Sequence, residues 1–524
     1  MRILRDAGYF FMSMLIDSEK SYIKVAFAPD LSGRDQKIYR FFELIPGVIT
    51  WGTLIGIVIL SYFAPVFSAF FIITFDIFWL VKTVFLSIHL RANVARMKEN
   101  ISINWVERLD RLHWEHLWQV VVLPMSRESY TVVKDCMSAV AQDSWPKDRM
   151  IVVLSCEEQF RENGQEVEVD VRRDFANIFP HLIITEHPMG RVGETPGKGA
   201  NESWAMRQVK EYVDARHISY KDVIVSSFDI DTKIYNQYFE ILAWHFLTAK
   251  NPTHSSYQPI PIFHNNIWDA PSFSRVVATS GTFWQMMQQE RPERLTTFSS
   301  HSMSMQTLVD LDYWQTNMVS EDSRIFWNAL LLYDGDYESI PLSYPVSMDA
   351  NLASTFLQTA KNVYKQQRRW AWGAENFPYM AFGFVKNKKI KLRTKLYYMF
   401  NALEGYWSWS TNALMIFALG WLPVMIGGRV FNESVLSYNL PIVTRTIMTF
   451  AMVGLVTSAI ISMQLLPKRP PRYSKWKTFT MLLQWIMVPI TIVIFGSFPA
   501  IDAQTRLMLG KYMGFWITPK HRKE

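Results

Sequence analysis

Asp222-Val223-Ile224-Val225-Ser226-Ser227-Phe228, followed at once by Asp229-Ile230-Asp231, is the stretch on which the fold turns. A short β-branched run that stops on two acids reads as a buried strand delivering carboxylates to its carboxyl end. Further back, residues 119–123 closed by Pro124, residues 150–154 and residues 181–186 read as strands, and Tyr130–Gln142 has helical periodicity. Strands alternating with helical segments over residues 115–330 predict an α/β domain whose mostly parallel sheet is flanked by helices. Ligands of such sheets lie beyond the carboxyl ends of the strands. Ser155-Cys156-Glu157-Glu158 and Asp229-Ile230-Asp231 both fall on that edge, and neither an internal repeat nor a low-complexity segment breaks the pattern.

The flanks have a different character. Residues 47–63 and 66–90 are each near the roughly 20 apolar residues that span a bilayer, and they meet at Ala64-Pro65 with no charge in the turn. Lys37 and Arg40 precede the pair and Arg91, Arg96 and Lys98 follow it, which places both feet in the cytoplasm. A basic run, Lys386-Asn387-Lys388-Lys389-Ile390-Lys391, closes the polar middle; an aromatic interfacial stretch from Leu396 then feeds a third span at 412–426. A fourth, 441–466, returns to a basic linker, and 478–498 is a fifth apolar run. If the fifth crosses, the tail with Arg506, Lys511, Lys520, Arg522 and Lys523 lies outside, against the charge rule. Pro489 allows a broken or re-entrant segment instead. Asp76 and Lys82 fall at membrane depth, with Glu404 at the entry of the next span; such groups either face a polar path or are ordinary: Lys82 snorkelling, Asp76 bonded to a hydroxyl or backbone group.

Composition agrees. In 524 residues, 15% aromatic content, 20 Trp and 26 Met suit bilayer-facing segments, and a mean hydropathy near zero averages a polar middle with apolar ends. The net charge of +7 sits beside apolar runs, so it reads as topology and excludes nucleic acid as the partner. Cys136 and Cys156 make neither a disulfide framework nor a metal motif, as in a reducing cytoplasm. Arg5, Asp6, Asp17, Glu19 and Lys20 interrupt any cleavable signal core.

Four groups carry candidate chemistry, each beside a plainer reading. Asp229 and Asp231, on alternate positions of an extended chain, can address one hard cation, Mg2+ or Mn2+, or be a solvated turn pair. Glu321-Asp322 opens a helix: Asp322 is a general base, or both acids merely complement the helix dipole. In Gln366-Gln367-Arg368-Arg369-Trp370, Arg369 offers charge-assisted bonds to a diphosphate and Trp370 a flat face for a sugar ring; the alternative is a basic amphipathic helix on anionic lipid. Pro196-Gly197-Lys198-Gly199-Ala200-Asn201 is a phosphate-approach loop with Lys198 as point charge, or a plain turn. Glu157 faces a nucleotide base or ribose, or is a surface acid.

In this order the motifs resemble the processive membrane glycosyltransferases of family 2, the cellulose, chitin and hyaluronan synthases, over about residues 115–375. Asp229-Ile230-Asp231 is similar to that family's metal-binding acid pair; Ser320-Glu321-Asp322 to its Thr-Glu-Asp motif, with Ser in place of Thr; and Gln366, Arg369 and Trp370 to its Gln-x-x-Arg-Trp signature. The family's nucleotide-contacting acid after the second strand would have to be Glu157 or Glu158, and Pro124 and Glu128 would border the same pocket. The resemblance implies a GT-A-like cytoplasmic domain, inversion at the anomeric carbon, a UDP-sugar donor, Mg2+ or Mn2+, and often a product channel. It implies catalytic roles for Asp322, Glu321 and Arg369, metal binding by Asp229 and Asp231, and substrate or nucleotide binding by Pro124, Glu128, Glu157, Lys198, Asp229, Gln366 and Trp370.

The expected division is a cytoplasmic N-terminal segment (1–46), a transmembrane hairpin (47–90), the GT-A domain (91–375), an interfacial segment (376–408), C-terminal transmembrane helices (409–500) and a tail (501–524). The expected protein is a multi-pass enzyme of the inner or plasma membrane that moves a sugar from a nucleotide-diphosphate donor to a growing polysaccharide. Alternatives are a single transfer to a polyprenyl-phosphate or other lipid acceptor, or a non-catalytic membrane carbohydrate-binding partner. Its partners are a nucleotide-sugar donor, a glycan or lipid-linked acceptor and the bilayer; no protein partner is identified.

Overall fold

The computed structural model describes residues 20–519 and Arg522. The first 19 residues, with the interrupting charges Arg5, Asp6, Asp17 and Glu19, and the tail's Lys520 and Lys523 lie outside the described residues.

Eight strands form one sheet: β1 (Trp118–Pro124), β2 (Met150–Glu157), β3 (His181–His187), β4 (Val223–Ser227), β5 (Lys233–Ile234), β6 (Ser255–Ile262), β7 (Ser302–Ser304) and β8 (Glu338–Ser347). Their order is β3-β2-β1-β4-β7-β6-β8-β5. β1 runs parallel to β2 and β4, and β2 to β3, so the half read from sequence is parallel as expected. β7 then pairs antiparallel with both β4 and β6, β8 runs parallel to β6, and β5 antiparallel to β8, which makes the whole sheet mixed. β6 and β8 escape the sequence rules because Pro259, Pro261, Pro341 and Pro345 lie within them. Proline normally excludes a central strand; here a register shift between Gln258 and Ile260 accommodates the missing N–H groups.

The helices that matter are α1 (Gly33–Phe63), α2 (Pro65–Ser102), α3 (Tyr130–Gln142), α4 (Arg161–Phe175), α5 (Lys198–Ala215), α6 (Tyr238–Thr248), α7 (Ser272–Gln289), α8 (Glu321–Leu332), α9 (Phe356–Ala371), α10 (Asn376–Lys386), α11 (Leu392–Phe417), α12 (Val435–Leu465) and α13 (Phe498–Met508). Strand alternation sends successive side chains to opposite faces. Val120, Val122, Val223 and Val225 pack with Met206 and Val209 of α5 and Phe326 and Leu330 of α8. Val121, Leu123, Val152 and Ile224 pack with Val133 and Met137 of α3, Val171 of α4 and Ile241 and Leu242 of α6. Both faces are covered, and the carboxyl ends of β1 and β4 are left as the sheet's ligand edge.

Among the described residues, four helices are long and apolar enough to cross a membrane: α1, α2, α12 and the run Lys475–Met508. α11 and the short segment Leu419–Ile426 pass the same test as a pair bent by 53°. The interfacial stretch and the start of the third span are therefore one continuous helix, broken only after Phe417. Lys82 is paired with Glu404 of α11, which also accepts from Ser408 at 2.6 Å, so both ions are used in joining helices. The 475–508 run is broken by 3-10 and π turns around Pro489. Its Gln484 accepts from Arg275 of α7 at 2.6 Å, Asp502 pairs with Arg368 of α9 at 2.9 Å, and Leu507 O accepts from Arg40 at the start of α1 at 2.9 Å. These bonds tie the run to α7, α9 and the start of α1.

Candidate active site

Lys198 is the centre of the constellation. Gly197, with φ of 152°, ends the preceding loop, and Lys198 opens α5 on the carboxyl side of β1. Its Nζ lies 2.9 Å from Asp229 Oδ1 beyond β4 and 2.8 Å from Asp322 Oδ1 at the start of α8. Glu202, one turn along α5, adds a third carboxylate at 3.8 Å. The approach of α5 to α8 is close enough that a Cβ on Gly199 would lie 2.9 Å from Glu321 Cβ and 2.9 Å from Gln315 O. Burial pulls the Lys198 ammonium down, but Asp229, Asp322, Glu202 and Glu321 together outweigh it and hold it well above the usual lysine value. Burial pushes Glu202 up to about 8, against the pull of Lys198 and a bond from Ser227 Oγ at 2.5 Å. Burial and the neighbouring Asp322 push Glu321 well up.

The acid pair does not behave as strand alternation predicts. Residues 229–232 form a turn, closed by Thr232 N–H donating to Asp229 O at 2.8 Å. Asp229 stays partly exposed beside Lys198, while Asp231 is 1% exposed and accepts from the Asp349 N–H at 3.0 Å. Both remain hard oxygen donors on one turn, in a corner with more carboxylates than cations. Among the described residues no group of three or more His, Cys, Asp or Glu is arranged to hold a metal by itself. A divalent cation therefore fits only if a ligand's own oxygens complete its shell.

Glu157 and Glu158 are distinguished. Glu158 pairs with Arg161 at 3.0 Å and accepts from Met189 N–H at 2.8 Å, facing outward. Glu157 is 7% exposed; burial raises its carboxyl, Gln159 donates to it, and Glu128 adds repulsion from the loop after β1. Pro124 is in register with Ser155, so Pro124, Glu128 and Glu157 share one corner. Glu128 itself caps Ser126 N–H at 2.8 Å.

α9 reaches the same region by two routes. Asn351 donates to Gln366 Oε1 at 3.5 Å, two residues from the Asp349 that holds Asp231. Trp370 and Gln366 line a small pocket with Phe263, Ala350 and Asn351. Arg368 and Arg369 part company: Arg368 pairs with Asp502, whereas no carboxylate among the described residues pairs with Arg369, whose Nε has no hydrogen-bond partner. The Arg369 guanidinium lies 5.1 Å from the Phe515 ring, and that ring covers Gly197, where a Cβ would lie 2.8 Å from Phe515 Cγ.

Phe515 belongs to a part of the site that the sequence reading missed. After α13 the tail turns back over the sheet domain: Tyr512 bonds Glu43 at 2.9 Å, Trp516 lies 5.4 Å from Lys365, and Arg522 grips Asp349 at 2.9 and 3.0 Å and Asp135 at 2.6 Å. Charge patterning alone reads its basic residues as topology. Glu202 was missed too, although its spacing of four from Lys198 puts both on one helix face. His301, in the acceptor-side stretch, is buried and pushed down to about 4; it bonds Phe298 O at 2.8 Å and accepts from the Trp314 indole at 3.3 Å, a structural role.

No protein-family model and no curated protein matches the sequence. Among solved structures, similar ones include a mannosyltransferase from Pyrobaculum calidifontis in complex with GDP-Man and Mn2+, at 14% identity and a TM-score of 0.37, covering 72% of this chain and 99% of that one. TarS 1-349 of S. aureus in complex with UDP-GlcNAc is similar at 12% identity and a TM-score of 0.36, covering 67% and 93%.

Proposed function

We propose that the protein is an inverting glycosyltransferase that moves a sugar from a nucleotide-diphosphate donor, of the UDP-sugar type, to a growing polysaccharide at a membrane, with its sheet domain in the cytoplasm. The observation that carries this is Lys198, within 2.9 Å of Asp229 and 2.8 Å of Asp322, which locks the acid of the β4 turn and the acid of α8 into one frame. An inverting transfer needs these two groups opposite each other: one on the side of the leaving diphosphate, one on the side of the incoming hydroxyl.

Asp322 takes the proton of the acceptor hydroxyl. The oxygen then bonds to the anomeric carbon as the bond to the diphosphate oxygen breaks, and the nucleoside diphosphate leaves with that electron pair. Arg369, unpaired with any acid among the described residues, supplies charge to the departing diphosphate, and the bond strengthens as negative charge grows there. Glu128 and Glu157 face the nucleoside from the β1 and β2 ends, and Trp370 stacks the acceptor's terminal ring. Mg2+ or Mn2+ held by Asp229 and Asp231 together with the diphosphate would neutralise charge on the leaving group.

The test is full-length protein in detergent given radiolabelled nucleotide sugars with Mg2+ or Mn2+, with the product identified by mass spectrometry. Long polymer supports the proposal; an organic-extractable product assigns a single transfer to a lipid acceptor instead. Asp322→Asn should lower turnover roughly 100- to 10,000-fold. Unchanged turnover refutes the base assignment and favours a carbohydrate-binding partner.

A further inference from the structure

Three cations, Arg91, Arg96 and Lys98, follow the apolar part of α2, and charge counting treats them alike. The structure does not. Arg96 pairs with Glu290 at 3.1 Å. Arg91 and Lys98 have no carboxylate partner among the described residues; they donate to Thr457 Oγ1 at 3.2 Å and Gln464 Oε1 at 3.4 Å. Both line a cleft of about 440 Å3 between α2 and α12, walled by Val94, Ala95, Ile460 and Ile461.

The helices themselves make this cleft. They cross tightly above it, where a Cβ on Gly454 would lie 2.2 Å from Thr83 Cγ2. Beyond the crossing, Arg91, Val94, Ala95 and Lys98 lie on one helical face of α2, with the spacing that places side chains in a single stripe. Above the cations, Val84 and Ile88 of α2 and Val453, Val456 and Ile460 of α12 are exposed, a continuous apolar path toward the hydrocarbon.

We propose that this cleft binds a phospholipid with an anionic headgroup. Arg91, at the hydrocarbon boundary, takes the phosphodiester. Lys98, two turns further at about 10 Å along the axis, takes charge carried beyond it, and the acyl chains follow the exposed stripe. Basic pockets between spans on the cytoplasmic side are suited to such headgroups. The proposal rests on α2 and α12 crossing the membrane and is independent of the sugar-transfer reading.

The experiment titrates delipidated full-length protein in mild detergent with phosphatidylglycerol, phosphatidylcholine and inorganic phosphate, and reads bound lipid by native mass spectrometry. Wild type should bind phosphatidylglycerol at least about 10-fold more tightly than phosphatidylcholine, and millimolar phosphate should not displace it. At roughly five-fold per basic group near a membrane, Arg91→Gln with Lys98→Gln should weaken phosphatidylglycerol about 30-fold and leave phosphatidylcholine unchanged. Lys468→Gln, outside the cleft, should have no effect. Should the double variant not fold, Ile460→Trp fills the cleft without touching charge and should also reduce binding. Equal affinity for the two lipids, or retention of phosphatidylglycerol by these cleft variants, overturns the proposal. Displacement by phosphate alone reassigns the cleft to a soluble anion and overturns the lipid assignment.

Discussion

Replacing Lys198 by Met removes the cation shared by Asp229, Asp322, Glu202 and Glu321 in a buried corner. Breaking a buried pair by deleting one partner costs roughly 3–5 kcal/mol. For a domain of this size, about 2 °C of melting temperature is lost per kcal/mol, hence about 6–10 °C. The loss should depend on pH, and its sign follows from the shifts. Lys198 is held above its unfolded value, so its contribution is whole below about pH 10.4 and persists across the working range. Glu202 is raised to about 8, so the native state keeps a proton that the unfolded state releases, and stability falls as pH climbs from about 4.3 toward 8. At pH 6 Glu202 is neutral with or without Lys198, and only the two aspartates lose a partner. At pH 8.5 the wild type ionises Glu202 beside its ammonium, which the variant cannot do at the same cost. That ionisation is worth at most about 0.8 kcal/mol at pH 8.5, so scanning fluorimetry in detergent should show a deficit about 1–2 °C larger at pH 8.5 than at pH 6, with Lys198→Arg recovering most of the loss. A deficit below about 2 °C, or one identical at both pH values, would refute the charge frame around Lys198.

Chelation should abolish turnover and weaken nucleotide-diphosphate binding at least about 10-fold, both restored by Mg2+ or Mn2+; calorimetry with and without chelator checks it, and unaltered binding counts against Asp229 and Asp231 as ligands. Trp370→Ala should raise the acceptor KM about 3- to 10-fold, the worth of an aromatic stacking contact, with donor binding unchanged. Gly383→Ala places a Cβ 2.4 Å from Leu331 Cδ1 in the packed interface of α10 and α8, and should cost about 1–3 kcal/mol in thermal melts.

The parallel half of the sheet was legible because its strands are uninterrupted runs of β-branched residues, buried on both faces. The helix Tyr130–Gln142 and the opening of α8 at Glu321 were legible for equally local reasons. β6 and β8 were not, because a central strand with two prolines is readable only once its neighbour and its register shift are known. The fifth apolar run shows the same limit in another form. Hydropathy measures whether a segment tolerates lipid, whereas its course is set by polar contacts such as Gln484 with Arg275 and Asp502 with Arg368, each to a residue far away in sequence.

The acid pair shows where period-two reasoning stops. Alternation makes Asp229 and Asp231 equivalent, but it holds only while the chain stays extended, and the Thr232 N–H to Asp229 O bond has already turned it. Asp229 is left with Lys198, at the cleft. Asp231 is carried inward to the Asp349 N–H, and the Asp349 carboxylate is gripped by Arg522 from the tail. The two acids thus join different partners: one ties β4 to α5 and α8, the other ties β4 to the end of β8 and to the last part of the chain. A tail residue some 170 positions from Asp349 is in this way coupled to the acid turn, through a side chain that charge counting alone assigns to topology.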